Sequence, residues 1–198
     1  MAPKQQEDVI ALQRIQREVA HIEIKGTAPL IVHAWSDKAK QMILDKQQGK
    51  KAPKERKDPK AMFESSMYRF EDGGHGFPVL AFKAATVGGA RYFANVTMTQ
   101  MRQAMFFIGD PADTSLVRLN AAEPVMREDM VRIGMGTADI RYRAEYKDWG
   151  ATLAIQYVPS VIDLSAIVAL VDAGGMGGVG EWRPERDGAF GTYEVVGS

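Results

Sequence analysis

Two stretches towards the end of the chain, Asp139–Tyr146 and Ala151–Val158, alternate polar and apolar side chains and are separated only by Lys147-Asp-Trp-Gly150. A β-strand turns successive side chains to opposite faces, so Arg141, Arg143 and Glu145 share one side of the first stretch, and Ile140, Tyr142, Ala144 and Tyr146 the other. In the second stretch Ala151, Leu153, Ile155 and Tyr157 form the apolar side. So short a connection predicts an antiparallel hairpin. Further strands are predicted at His21–Gly26, where polar and apolar side chains alternate as in a half-buried strand, and at Met105–Ile108, Ser115–Leu119 and Met130–Gly134. Helical spacing of apolar residues predicts helices over Glu7–Ala20, over Asp37–Gln47 with Ser36 as N-cap, and over Lys60–Phe70. A segment beginning extended at Phe77 is predicted to turn helical near Lys83. A last helix, capped by Asp163 or Ser165, carries Leu164, Ile167, Val168 and Val171 on one stripe and has Gly174 in the C′ position. Regular β-α-β alternation is absent. The fold class read from this order is α+β, an antiparallel sheet with helices on one face.

With 198 residues and 45% of them hydrophobic, the chain is long enough for one well-buried core, and a single unit over residues 1–198 is expected. There is no cysteine, which excludes disulfides, thiolate metal sites and cysteine nucleophiles. The first residues have no apolar signal core, and no apolar run approaches the roughly 18 residues of a membrane span, so a cytoplasmic protein without membrane contact is expected. Net charge is zero but unevenly placed. Nine basic residues (Lys38, Lys40, Lys46, Lys50, Lys51, Lys54, Arg56, Lys57, Lys60) stand against Asp45, Glu55 and Asp58. Pro53 and Pro59 break helix continuity there, so residues 48–60 read as a mobile basic insertion, able to meet a phosphate backbone or simply to stay solvated.

The last quarter of the chain is dense in glycine, and residues 174–191 read as a glycine-rich loop carrying Arg183 and Arg186. Consecutive N–H groups in glycine conformations form anion-binding concavities, and guanidinium forks suit phosphate oxygens. Trp182, Phe190 or Trp35 could stack on an unpaired base, and Lys83 and Arg91 could track a backbone along one helix edge. Each of these residues also has a packing role open to it. Nucleotide motifs fail on context: Gly175-Met-Gly-Gly-Val-Gly180 follows a predicted helix instead of a strand, and no Gly-x4-Gly-Lys-Ser/Thr stretch exists. His21, His33 and His75 are not spaced as a metal motif, and no cofactor is implied.

Three stretches, in this order, resemble those of the repeat-associated RNA-binding (RAMP) superfamily of CRISPR effector proteins, particularly backbone subunits of the Cas7 kind. Ile22–Leu30 is similar to the family's first strand and the Pro-Leu after it. Phe77–Arg91 resembles its proline, lysine with small residues, then arginine. Gly178–Val195 is similar to its C-terminal glycine loop, with a closing Gly-x-Phe-Gly before a last strand. Zero net charge and brevity depart from the pattern. The resemblance implies a ferredoxin-like, RRM-like core that binds single-stranded RNA or DNA; taken with the glycine–arginine loop and the basic stretch, the expected function is non-catalytic binding, of RNA before DNA. The resemblance further implies a homo-oligomer or filament along the strand, within a CRISPR complex or as a free-standing phage protein. The residues expected at the nucleic acid are Lys50, Lys51, Lys54, Arg56, Lys57, Lys83, Arg91, Gly178, Gly180, Trp182, Arg183, Arg186, Gly188 and Gly191. Two other readings stand beside it: a metal-independent endoribonuclease using His33 or His75, and a structural phage or assembly protein whose glycine loop is a packing device.

Overall fold

The computed structural model describes residues 14–35, 41, 43–45, 47–50, 57–133 and 137–197. Among the described residues ten strands and five α-helices are formed. In chain order they are β1 (Glu18–Gly26), β2 (Leu30–Val32), α1 (helical at 41, 43–45 and 47), α2 (Pro59–Ser65), β3 (Tyr68–Arg69), β4 (His75–Pro78), α3 (Val79–Gly89), α4 (Met98–Ala104), β5 (Met105–Ile108), β6 (Leu116–Ala121), β7 (Val125–Ile133), β8 (Thr137–Tyr146), β9 (Trp149–Tyr157), α5 (Leu164–Gly177) and β10 (Tyr193–Val195). Among the described residues, no helix is long and apolar enough to cross a membrane.

The main sheet runs β10-β1-β9-β6-β4-β3, with β5 also paired to β9, and every pairing is antiparallel. Its first four positions, β10-β1-β9-β6, with α3 after β1 and α5 between β9 and β10, follow the split β-α-β order of a ferredoxin-like core. Alternation decides which way each strand faces. Ile22 and Ile24 of β1 are buried, as are Ala151, Leu153, Ile155 and Tyr157 of β9, and α3 and α5 cover that side through Phe82, Val87, Ile167 and Val171. Gly26 is the close-approach point of β1: a Cβ there would stand inside the Trp149 indole, whose Nε1 donates to the Ala28 carbonyl at 2.9 Å. Gly89 and Gly174 do the same between the helices. A Cβ on Gly174 would lie 2.6 Å from the Ala85 carbonyl oxygen, and one on Gly89 2.6 Å from that of Leu170.

The anticipated hairpin is not formed. Both strands exist, but β8 pairs with β7 and β2 in a second sheet, while β9 lies between β1 and β5/β6 in the first. Residues 147 and 148 carry the chain from one sheet to the other. With a partner on each side, β9 has no edge left for β8. The helix expected over Glu7–Ala20 also differs: residues 18–20 begin β1 and residues 14–17 are irregular, while 1–13 lie outside the described residues. The Ser36 cap lies outside them as well. The helix expected at Lys60–Phe70 starts at Pro59, capped by the Asp58 carboxylate, and stops at Ser65 so that Tyr68 and Arg69 can pair with β4. Glycine density misplaced the end of α5, which continues through Gly174 and Gly175 to Gly177 and is capped by Gly178 at φ 70°. The loop therefore begins at Gly178.

Candidate nucleic-acid interface

The segment after α5 is held by its own backbone. Val179 N–H donates to the Gly191 carbonyl (2.9 Å), Phe190 N–H to Trp182 (3.0 Å), and Gly188 and Arg186 N–H to Arg183 (3.0 and 2.8 Å). Two further bonds fasten it beside β2: Glu181 N–H to Ile31 O (2.9 Å) and Gly191 N–H to Pro29 O (2.8 Å). Gly180 must be glycine here, with φ at 81° and a Cβ position 2.6 Å from the Ile31 carbonyl oxygen. The N–H groups of Val179, Glu181, Arg186, Gly188, Phe190 and Gly191 are spent on the loop and on the Pro29–Ile31 segment, and Gly178, Gly180, Gly188 and Gly191 serve close packing or positive φ. An anion at these positions must be met by side chains.

Those side chains surround a cleft of about 200 Å³ between α3 and the loop, lined by His33, Tyr68, Phe77, Ala81, Ala84, Ala85, residues 178–181, Arg183 and Glu185. The first stretch singled out in the sequence leads into His33, the second supplies Phe77 and the α3 alanines, and the third is the loop, so three segments distant in sequence meet at one opening. Arg183 stands at the rim, donating from Nε to Glu185 (3.1 Å) and from Nη1 to the Gly180 carbonyl (3.0 Å). Arg91 reaches the same Glu185 at 3.7 Å. Arg186 is exposed and in no ion pair among the described residues. A larger cleft of about 410 Å³, between the 93–101 segment and the start of α5, has no basic residue on its walls and does not suit a phosphate chain.

Lys83 is not part of the opening. Ala81, Ala84 and Ala85 share one flank of α3, and Lys83, two residues beyond Ala81, lies about 200° round the helix from it. α3 ends at Gly89 and Arg91 sits in the following 3₁₀ turn, so the two cations do not share a helix edge. Trp182 has φ 55° and is 41% exposed, with the Arg143 guanidinium 6.0 Å from its ring; Phe190 is covered by Arg127 at 4.7 Å. Trp35 is exposed and does not line the cleft. Of the basic stretch, Lys50 is exposed near Asp45 (3.9 Å), and Lys57 is anchored on β8 through Asp139 and the Ile140 carbonyl (3.0 Å). Lys51, Lys54 and Arg56 lie outside the described residues.

The histidines part company. His33 opens into the cleft with a depressed pKa, chiefly from desolvation, then from the positive field of Arg143 and Arg141, with Glu181 opposing. His75 is buried in β4, its Nδ1 2.8 Å from the Tyr146 hydroxyl and its Nε2 3.2 Å from Glu123, so both ring nitrogens are engaged. The same burial pushes the Tyr146 hydroxyl well above its ordinary value.

Sequence reasoning missed the groups that fix this end of the fold. Arg143 is 2% exposed, bonded through Nη1 to Asp129 (3.3 Å) and paired through Nη2 with Glu181 of the loop (3.4 Å). Asp129 also accepts from Arg127 (2.8 Å), which reaches Glu145 at 3.4 Å. Arg127 and Arg143 are directly opposed in the β7–β8 register, and carboxylates between them make that tolerable. A charged residue in an alternating strand reads as a solvent-facing residue, and nothing local announces that a loop forty residues later will cover it.

No protein-family model matches the chain, and no curated protein matches it in sequence. Among solved structures it is similar to the crystal structure of Cmr6 from Pyrococcus furiosus, at 9% identity and a TM-score of 0.45, over 92% of this chain and 100% of that one. This likeness is too distant to carry a function.

Proposed function

We propose that the protein binds single-stranded nucleic acid, RNA in preference to DNA, in the cleft between α3 and the loop that follows α5, without cutting it. The observation that carries this reading is the convergence of residues of the second and third stretches, with His33 just beyond the first, on one opening rimmed by Arg183, with Arg91 and Arg186 on its approaches. The opening is small for a nucleoside triphosphate and suits a strand passing over it. The α3 alanines let a backbone come close, and guanidinium groups supply forked donors to phosphate oxygens. In the unliganded protein Glu185 satisfies Arg183 and Arg91, so a phosphate must displace that carboxylate.

Titration with short single-stranded RNA and DNA at two salt concentrations tests the reading. Phosphate contacts must weaken as salt rises, and Arg186→Ala, which leaves the loop's hydrogen bonds intact, is expected to reduce the salt slope by about 0.7, one contact to a single strand. Affinity for neither strand, or affinity indifferent to salt, overturns it. His33 supports a second reading, metal-independent cleavage of RNA, because a neutral imidazole in the cleft can accept a proton. Labelled RNA cut by the wild type and spared by His33→Ala would establish it; intact RNA in both would end it.

A further inference from the structure

Strand β7 is nine residues long, and among the described residues it pairs only with β8, so one of its edges is unpaired. Beyond β2, which pairs only with residues 144–146 of β8, the two strands form a two-stranded ribbon. Its outer face mixes exposed apolar side chains with the exposed charges of Glu128 and Arg132. Met130 lies directly opposite Ile140 and they are 72% and 43% exposed, with Met126 52% exposed on the same face. An exposed edge carrying apolar side chains is a template for a further strand.

We infer that this edge pairs with the same edge of a second copy, β7 against β7, about a two-fold axis normal to the ribbon. Such an axis keeps each face on its own side, so paired residues must have the same parity, and the register is fixed by the residue that meets itself. Centring on Glu128, Arg127, Asp129 or Arg132 sets a like charge against itself. Centring on Val131 pairs no opposite charges. Centring on Met130 places Glu128 opposite Arg132 twice, sets the two Met130 side chains together beside Ile140, and opposes no like charges. Glu128 accepts a hydrogen bond from Tyr142 within its own chain, and its remaining lone pairs are open to a guanidinium. The pairing is closed and isologous, which gives a dimer and not an open filament, and it is independent of what the cleft binds.

The chain has no cysteine, so a single introduced thiol can bridge only to another copy. In the Met130-centred register Met130→Cys brings two thiols across a pair whose Cα atoms are about 5 Å apart, within disulfide reach. Met126→Cys, also exposed on the same face, leaves its thiols about 27 Å apart. Mild oxidation should give a covalent dimer of the first variant only. Equal bridging of both, or of neither, overturns the inference. Sedimentation supplies the second arm: Glu128→Arg or Arg132→Glu alone should weaken the dimer about tenfold, and the double exchange should restore it. If the double exchange dissociates like the single ones, or if no variant differs from a monomeric wild type, the register is wrong.

Discussion

The β7–β8 ribbon and the loop after α5 both carry arginines in pairs, but the surroundings give those arginines different work. On the ribbon Arg143 is almost fully buried and depends on Asp129 and Glu181, and its Nε has no hydrogen-bond partner among the described residues. At the loop, Arg183 and the Arg91 that reaches over from the turn after α3 share Glu185 at the surface, where water can replace any partner that leaves. A buried ion pair contributes little net stability when complete and is costly when broken, whereas an exposed pair is worth little either way. Buried charge here holds the loop against the ribbon, and surface charge is exchangeable for a ligand's phosphates.

The largest break in that contrast is Asp129→Ala. It strands Arg143 with only the half-exposed Glu181, and is expected to cost about 3 kcal/mol, read as a lowered denaturant midpoint. Arg183→Ala, by comparison, should leave the midpoint nearly unchanged while weakening any nucleic-acid binding. Equal losses in the two variants would erase the distinction between the regions.

A smaller effect separates two glycines of α5. At Gly174 an added methyl meets the backbone of Ala85 on α3, which cannot swing aside, and Gly174→Ala should destabilise by about 2 kcal/mol despite its better helix propensity. At Gly177 nothing lies within 4 Å of a Cβ, and the same substitution should be neutral or stabilising by up to about 1 kcal/mol. If thermal melts rank the two the other way, helix crossing does not account for Gly174.

These residues show where the sequence was legible. Alternation in β1 and β9 identified their buried faces, Ile22 and Ile24 on one and Leu153 and Ile155 on the other, because period two is a property of the strand alone. It could not name the neighbour of each strand. β8 and β9 are close in sequence yet belong to different sheets, a choice made by β1, β5 and β6 filling both edges of β9. Glycines at 174 and 175 read as a helix stop, since local propensity disfavours them, and the tertiary reason for them, α3 crossing at Ala85 and the last strand passing Tyr193, lies elsewhere in the chain. For the candidate site, the three stretches and Arg183 were visible as motifs. Glu181, Asp129 and Arg143, which hold them in place, were not, because each is ordinary until the fold brings it to its partner.

The smallest expected effect is the one that reports most directly on the cleft. Desolvation and the neighbouring arginines lower the pKa of His33, so the folded state binds its proton less readily than the unfolded chain does. The sign follows: stability attached to neutral His33 is fully present above the unfolded value of about 6.5 and diminishes as pH falls below it. His33→Gln should flatten that part of the stability profile. An anion in the cleft opposes the arginine field and raises the His33 pKa again, so binding must take up a proton. Affinity for single-stranded RNA should therefore rise from pH 7 to pH 5.5 in the wild type and rise less in His33→Gln. Parallel pH profiles for the two proteins would mean that the phosphates pass His33 by, and that the basic rim meets them away from the cleft.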